Sequence, residues 1–263
     1  MTDEHPSPAV PPPPSEDDRA RLVPLLQEVV RLGITLDDTE VAAFRRYLDL
    51  LSEWNERAGL TSVTDPAEVQ RRHFAESLAV LVAIREAGLL PADGRVRIAD
   101  LGPGGGFPGL PMRIVEPAFH LVLVESNQKR ADFLLFATRE LGLADVEVVA
   151  ARAEDAGRDP ALRGLFDLVV ARAVASLNVL VEYALPLLRE GGVLVAPKGS
   201  RARDELVEAA PAIEALGGVA LDPVPLSLPA DVAPQTVILV RREGTLDDRF
   251  PRRAGMPAKR PLA

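Results

Sequence analysis

The densest run of glycines in the chain occupies residues 100–109, which read DLGPGGGFPG. Gly102, Gly104 and Gly106 allow the backbone to adopt positive φ and to approach a ligand closely. Pro108 suits the first turn of a following helix. In an open parallel sheet, ligands bind beyond the carboxyl ends of the strands, most often after the first strand. The run therefore predicts that a small molecule binds across a turn between a strand and a helix.

One interpretation of this turn is a dinucleotide site. Gly104, Gly106 and Gly109 match the GxGxxG spacing, and Glu125 follows about twenty residues later, where a ribose-binding acid is expected. This pattern leaves an NAD-dependent oxidoreductase open as one function of the chain.

S-adenosylmethionine fits the same turn better. Phe107 and Pro108 crowd the position of a pyrophosphate, which S-adenosylmethionine lacks, whereas Glu125 can still accept hydrogen bonds from its ribose. Neither Tyr47 nor Tyr183 is followed by a lysine four residues later, so the sequence offers no proton relay for hydride transfer.

The strands and helices that position this turn begin near residue 96, where the spacing of apolar residues changes from that of helices to that of strands. Short β-rich runs alternate with helix-length segments, which favours βαβ units in a doubly wound α/β fold with a mostly parallel sheet covered on both faces. Two later runs, 218–226 and 235–242, predict an antiparallel hairpin at the sheet edge. The five earlier runs are 96–101, 120–125, 146–150, 166–171 and 192–197.

Four segments are predicted along the chain. Residues 1–20 form an acidic, proline-rich leader expected to be disordered. Residues 21–90 are a helical extension, in which one helix follows Thr35 and another begins near Pro66. Residues 91–243 form the α/β core, with a helix near 201–216, and residues 244–263 a basic tail.

Composition excludes several classes of protein. The chain has no cysteine, which rules out a disulfide framework, a thiolate zinc site and a cysteine nucleophile. We predict no metal site. No apolar run approaches the ~20 residues of a membrane span, and residues 1–14 lack the basic and apolar regions of an export signal. We therefore expect a cytoplasmic protein without a membrane partner.

The charge is unevenly distributed. A net charge of −9 argues against non-specific coating of nucleic acid. However, residues 241–263 carry six arginines and one lysine against three acidic residues, so this end could meet phosphate groups.

Five ordered stretches resemble the ribosomal RNA small subunit methyltransferase G family, also called glucose-inhibited division protein B. The resemblance runs from about residue 47 to residue 262. It implies a Rossmann-like S-adenosylmethionine-dependent methyltransferase fold and methylation of the N7 atom of a guanosine in 16S ribosomal RNA. The stretches are YLDLLSEWNERAGLTSV with RRHFAESL, IADLGPGGGFPGLP, LVLVESNQKRADFL with ARAED, FDLVVARAVASLNVLVEYALPLLREGGVLVAPKG and FPRRAGMPAKRPL.

The resemblance also implies roles for individual residues. It implies cofactor contacts at Gly102, Gly104 and Phe107 in the methionine and adenosine cleft, at Ala153 and Glu154 beside the adenine, and at Arg172. Glu125 joins them as the ribose-binding acid inferred above from its position after the second strand. The chain departs from the family pattern at Gly59, Glu76, Pro103 and Gly105. The first two departures put the role of the extension in RNA contact in question. Basic residues near the carboxyl edge of the sheet are expected to contact RNA phosphates: Lys198, Arg201, Arg252, Arg253, Lys259 and Arg260.

The expected reaction needs no catalytic acid or base, and we name none. Guanine N7 has a lone pair and no proton, so in-line methyl transfer depends on positioning. N7 lies in the deep major groove of A-form RNA, so the target is expected to be unpaired. The predicted partner is 16S ribosomal RNA or the small subunit, and the chain is expected to be a monomer. A ribosome-assembly factor without catalytic activity remains the third interpretation.

Overall fold

A computed structural model describes residues 16–262 and shows one eight-stranded sheet in the order β3-β2-β1-β4-β5-β8-β6, with β7 paired to β8. Strands β1 to β5 are parallel, whereas β8 runs antiparallel to β5, β6 and β7. The strands are β1 (Val96–Leu101), β2 (Phe119–Val124), β3 (Val146–Val149), β4 (Phe166–Val170), β5 (Leu188–Lys198), β6 (Gly218–Ala220), β7 (Val224–Pro225) and β8 (Thr236–Arg242).

This topology confirms the predicted fold class. The two late runs do form an antiparallel hairpin, and its second strand, β8, lies between β5 and the first. Along β1, successive side chains point to opposite faces, so Ile98 joins one buried cluster whereas Ala99 and Leu101 join the other. The sheet is therefore covered on both faces, which explains its nearly continuous apolar strands.

A π-helical turn at Gln70–Ala75 joins two of the helices, α4 and α5, into one continuous element. Asp37 caps α3 in a capping box with Glu40, and Gly59 ends that helix in the left-handed conformation. The helices are α1 (Glu16–Arg21), α2 (Val23–Arg31), α3 (Asp38–Ala58), α4 (Pro66–Val69), α5 (Glu76–Glu86), α6 (Gly109–Val115), α7 (Gln128–Glu140), α8 (Ala153–Ala156), α9 (Leu177–Ala184), α10 (Ala202–Ala215) and α11 (Met256–Lys259).

The helical extension shares its hydrophobic core with one face of the sheet. Leu25, Phe44 and Leu81 are buried in the same cluster as Ile98 and Leu121. The extension therefore covers this face as an integral layer.

Two predicted boundaries need correction. Residues 16–20, assigned to the disordered leader, lie in α1, where Arg19 pairs with Asp38; the rest of that leader lies outside the described residues. The basic segment 244–263 is predicted as a tail without secondary structure, but it contains α11 and is packed, because Phe250 and Pro257 are buried. Within residues 16–262, no helix is long and apolar enough to cross a membrane.

Candidate functional site

The glycine turn follows β1 at the carboxyl edge of the sheet. Gly102, Gly104 and Gly106 have φ values of +63°, +57° and +101°, in the region that favours glycine. A Cβ atom at Gly106 would overlap the side chains of Tyr47 and Leu110. The turn therefore needs glycine both for its conformation and for its close packing.

Asp100 is the second-to-last residue of β1, beneath this turn, and is fully buried. Its Oδ2 accepts the Gly109 N–H at 2.7 Å, whereas its Oδ1 has no hydrogen-bond partner. Burial raises the pKa of Asp100 from 3.8 to about 7, against the opposing effects of the Gly109 N–H and of Arg172. A buried oxygen without a donor is costly, so this atom marks a place where a bound donor would be stabilised.

Glu125 follows β2 and holds the turn from the neighbouring strand. Its Oε2 accepts the Gly104 N–H at 3.2 Å, and its Oε1 accepts the Asn127 N–H at 2.8 Å. A carboxylate has about four acceptor positions, so each oxygen can still accept one hydroxyl hydrogen. Glu125 can therefore bind a diol while it fixes the turn.

Ala153 and Glu154 begin α8, after β3. Glu154 is buried, and its Oε1 accepts the Gly255 N–H at 2.7 Å. Burial raises the pKa of Tyr183, and the charge of Glu154 and a hydrogen bond between the two side chains add to this effect. The Glu154 carboxylate thus anchors the C-terminal segment beside the end of β3.

Phe107 packs into the helical extension and is only 5% exposed. Its ring stacks on His73 and Tyr47, with centroid distances of 4.6 Å and 5.7 Å, and Phe74 lies beside it. The Tyr47 hydroxyl donates a hydrogen bond to the Gly105 carbonyl. This aromatic cluster joins the extension to the glycine turn.

Arg172 follows β4 and contacts the π-helical turn. Its Nη1 donates to the Arg72 carbonyl at 3.0 Å and to Glu76 Oε2 at 3.3 Å, and its Nη2 lies 3.2 Å from His73 Nδ1. Burial and the Arg172 charge lower the pKa of His73 from 6.5 to about 4. Arg172 therefore connects the sheet edge to the extension through a neutral histidine and a carboxylate.

The sequence of this chain is similar to those of known proteins over most of its length. The family model for rRNA small subunit methyltransferase G matches residues 40–227. Ribosomal RNA small subunit methyltransferase G of Desulfitobacterium hafniense is 44% identical over 232 residues, which cover 88% of this chain and 93% of that protein. The protein of the same name from Roseiflexus castenholzii is 44% identical and covers 90% of this chain and 98% of its own. This chain belongs to the rRNA small subunit methyltransferase G family.

Solved structures of low sequence identity share the fold. A Corynebacterium glutamicum protein has a TM-score of 0.50 at 20% identity, covering 84% of this chain and 96% of its own. A mutant of MtNAS has a TM-score of 0.51 at 14% identity, covering 78% and 75%. These similarities concern the fold alone.

In this member of the methyltransferase G family, the predicted RNA-contacting residues fall into two groups. Three are used in ion pairs within the chain: Lys198 with Glu205 at 2.8 Å, Arg201 with Glu208 at 2.7 Å and Arg252 with Glu182 at 2.6 Å. The other three are exposed and have no ion-pair partner among residues 16–262: Arg253, Lys259 and Arg260. Lys198 and Arg252 are largely enclosed with their partners, whereas Arg201 is 67% exposed and its ion pair is a weak surface pair.

The structure adds residues that sequence spacing did not identify. Tyr47 supports the glycine turn, although its sequence context only excludes it as a proton relay, and Glu76 pairs with Arg172, although the sequence marks it only as a departure from the family pattern. Their partners lie far away in sequence, so no local pattern indicates the contacts. Among the described residues, no group of His, Asp and Glu is arranged to hold a metal ion.

Proposed function

We propose that this chain transfers a methyl group from S-adenosylmethionine to the N7 atom of a guanosine in 16S ribosomal RNA. The observation that carries this proposal is the pair of acidic groups at the glycine turn. Asp100 presents a buried oxygen without a donor, and Glu125 on the next strand keeps free acceptor positions. S-adenosylmethionine has an ammonium group and a ribose diol, the two kinds of donor that these carboxylates need.

The other predicted contacts take more specific roles in this proposal. Gly102 and Gly104 let the turn approach the methionine end of the cofactor. Glu154 fixes the C-terminal segment that borders the adenine end, next to Ala153. Phe107 and Arg172 support the turn from the side of the extension. When bound, S-adenosylmethionine supplies an electrophilic methyl group.

The residues near the turn agree with a reaction that needs no general base. Tyr47 and His73 are both engaged inside the protein, by the Gly105 carbonyl and the Thr61 hydroxyl. Guanine N7 carries no proton, so the chain has only to hold it in line with the methyl group and exclude water. Such positioning can lower a barrier by about 7–11 kcal/mol.

This arrangement disfavours an NAD-dependent oxidoreductase. The Tyr183 hydroxyl is engaged by Glu154, so neither described tyrosine is placed to relay a proton. A competitive calorimetric titration separates the two cofactors: we expect S-adenosylmethionine to bind and NADH not to displace it. Displacement by NADH would contradict our assignment of the turn.

The direct test is methyl transfer from radiolabelled S-adenosylmethionine to small ribosomal subunits from cells that lack this protein. We expect one N7-methylguanosine in 16S RNA, detected by chemical cleavage at the modified base, and no further incorporation into subunits from wild-type cells. Binding of the cofactor without incorporation into either substrate would favour the assembly factor. We also propose that the chain acts as a monomer in the cytoplasm, where these subunits are found.

A further inference from the structure

A cleft of about 250 Å³ lies between the C-terminal end of α3 and the N-terminal end of α7. Trp54 forms part of its wall, and the Arg57 guanidinium carbon lies 3.4 Å from the centre of the indole ring. Ala58, Lys129 and Asp132 complete the lining. An exposed arginine held over an aromatic ring is a flat cationic surface, to which planar groups can stack.

The charges in this cleft are unbalanced. Arg57 and Lys129 are exposed and have no ion-pair partner among residues 16–262. Asp132, the single carboxylate in the lining, accepts a hydrogen bond from the Gln128 amide at 2.9 Å. The cleft therefore combines a cationic stacking surface with a free ammonium group.

Both walls of the cleft lead directly to the glycine turn. On one side, Ala58 is two residues, or at most about 7 Å of extended chain, from Leu60. The Leu60 carbonyl lies 3.8 Å from the position of a Cβ at Gly104. On the other side, α7 starts just after Asn127, whose N–H is held by Glu125. An extended ligand chain that lies in the cleft would therefore continue to the proposed cofactor site.

We infer that this cleft binds single-stranded RNA adjacent to the target guanosine, with a base stacked on Arg57 and a phosphate next to Lys129. The inference rests on the proposed function, which requires an unpaired target and hence unpaired neighbours. Stacking on arginine or aromatic groups tolerates any base, and a lysine binds phosphate as a point charge. The cleft would thus hold a flanking nucleotide, and the glycine turn would face the target.

The test uses an oligoadenylate of about ten nucleotides. Trp54 is the only tryptophan of the chain, so its fluorescence reports directly on the cleft. We expect saturable quenching, and about tenfold weaker binding for Arg57→Ala and Lys129→Ala in a filter assay. Lys129→Ala should also reduce the salt slope of binding by about 0.7. The matched control is Arg139→Ala, which removes an exposed cation from the other end of α7 that has no ion-pair partner in the described part of the chain.

Three results would overturn the inference. One is oligoadenylate binding that leaves Trp54 emission unchanged and is equally strong in both cleft variants and the control. Another is identical quenching by polyglutamate, which would indicate a generic anion site. The third is an unchanged KM for small subunits in the Arg57→Ala/Lys129→Ala variant, given native circular dichroism. If oligoadenylate quenches Trp54 and both cleft variants bind it more weakly, but no methyl transfer is detected, the inference about the cleft is supported. That result would refute only the proposed function.

Discussion

Replacing Arg252 with methionine tests whether the basic C-terminal segment is part of the folded core. Arg252 pairs with Glu182, which is 0% exposed. Its Nε and Nη2 atoms lie 2.6–3.1 Å from the two carboxylate oxygens, and its backbone N–H donates to Oε1 at 2.8 Å. In Arg252→Met, the backbone N–H would be the one remaining donor to this carboxylate among the described hydrogen bonds.

The expected loss of stability follows from this burial. Removing one partner of a buried ion pair costs up to about 3–5 kcal/mol, because the other charge stays buried. The remaining backbone N–H and the 24% exposure of the Arg252 side chain place the expected loss at the lower end of this range. For a chain of this size, such a loss lowers Tm by about 10 °C. Urea unfolding followed by circular dichroism measures the difference. The control is Arg253→Met, since Arg253 is exposed and forms no ion pair with any described residue, and the stability of this variant should differ from wild type by less than about 0.5 kcal/mol.

A double variant separates the lost pair from other effects. Glu182→Gln combined with Arg252→Met removes both charges but keeps a side-chain acceptor for the backbone N–H of residue 252, so most of the stability should return. The Kd for S-adenosylmethionine should be the same in the wild type and in the double variant. If Arg252→Met instead weakens RNA binding and is as stable as Arg253→Met, our account of the tail is wrong, and Arg252 contacts RNA as its charge alone suggested.

Three further substitutions test the glycine turn. Glu125→Ala should weaken S-adenosylmethionine binding at least about tenfold by calorimetry, because hydrogen bonds to a carboxylate are lost; an unchanged Kd would remove Glu125 from the site. Gly102→Val should abolish S-adenosylmethionine binding while circular dichroism stays native, since φ at Gly102 is +63° and a Cβ there would lie 3.1 Å from the Val174 side chain. Full affinity would contradict the close approach of the turn to the cofactor. Burial raises the pKa of Asp100 from 3.8 to about 7, so the folded state holds its proton more tightly than the unfolded chain. Stability should therefore fall as pH rises from about 4 to about 7, and Asp100→Asn should flatten this fall in urea titrations; a pH profile identical to wild type would refute the assignment.

The strands could be predicted closely because both faces of the sheet are buried. Observed β1 coincides with the apolar run 96–101, and β2 to β4 begin or end within a residue of theirs. In contrast, β5 begins at Leu188 rather than residue 192, because its first residues, including Arg189 and Glu190, are exposed at the edge of the core. An apolar run marks burial, so it cannot show where an exposed strand continues.

The site could be predicted only where its parts follow the strands. Glu125 lies where the order of strands places it, and the structure brings it to Gly104. The support for Phe107 could not be predicted, because Tyr47 belongs to a helix that precedes the sheet. Charge patterns failed for a related reason: a list of basic residues does not show that Glu182, 70 residues away, neutralises Arg252.

The helical extension belongs to the site as much as the sheet does. The glycine turn contacts it through the Tyr47 hydroxyl at the Gly105 carbonyl and through the Phe107 ring, which stacks on His73. Arg172 adds a third connection by donating to the Arg72 carbonyl. An extension that opened away from the sheet would expose the Phe107 ring to water, which is costly, and would remove the hydrogen-bond partners of Arg172. The turn therefore keeps its shape because the extension packs on it, and RNA bound to the extension would contact an element that already holds the cofactor site in place.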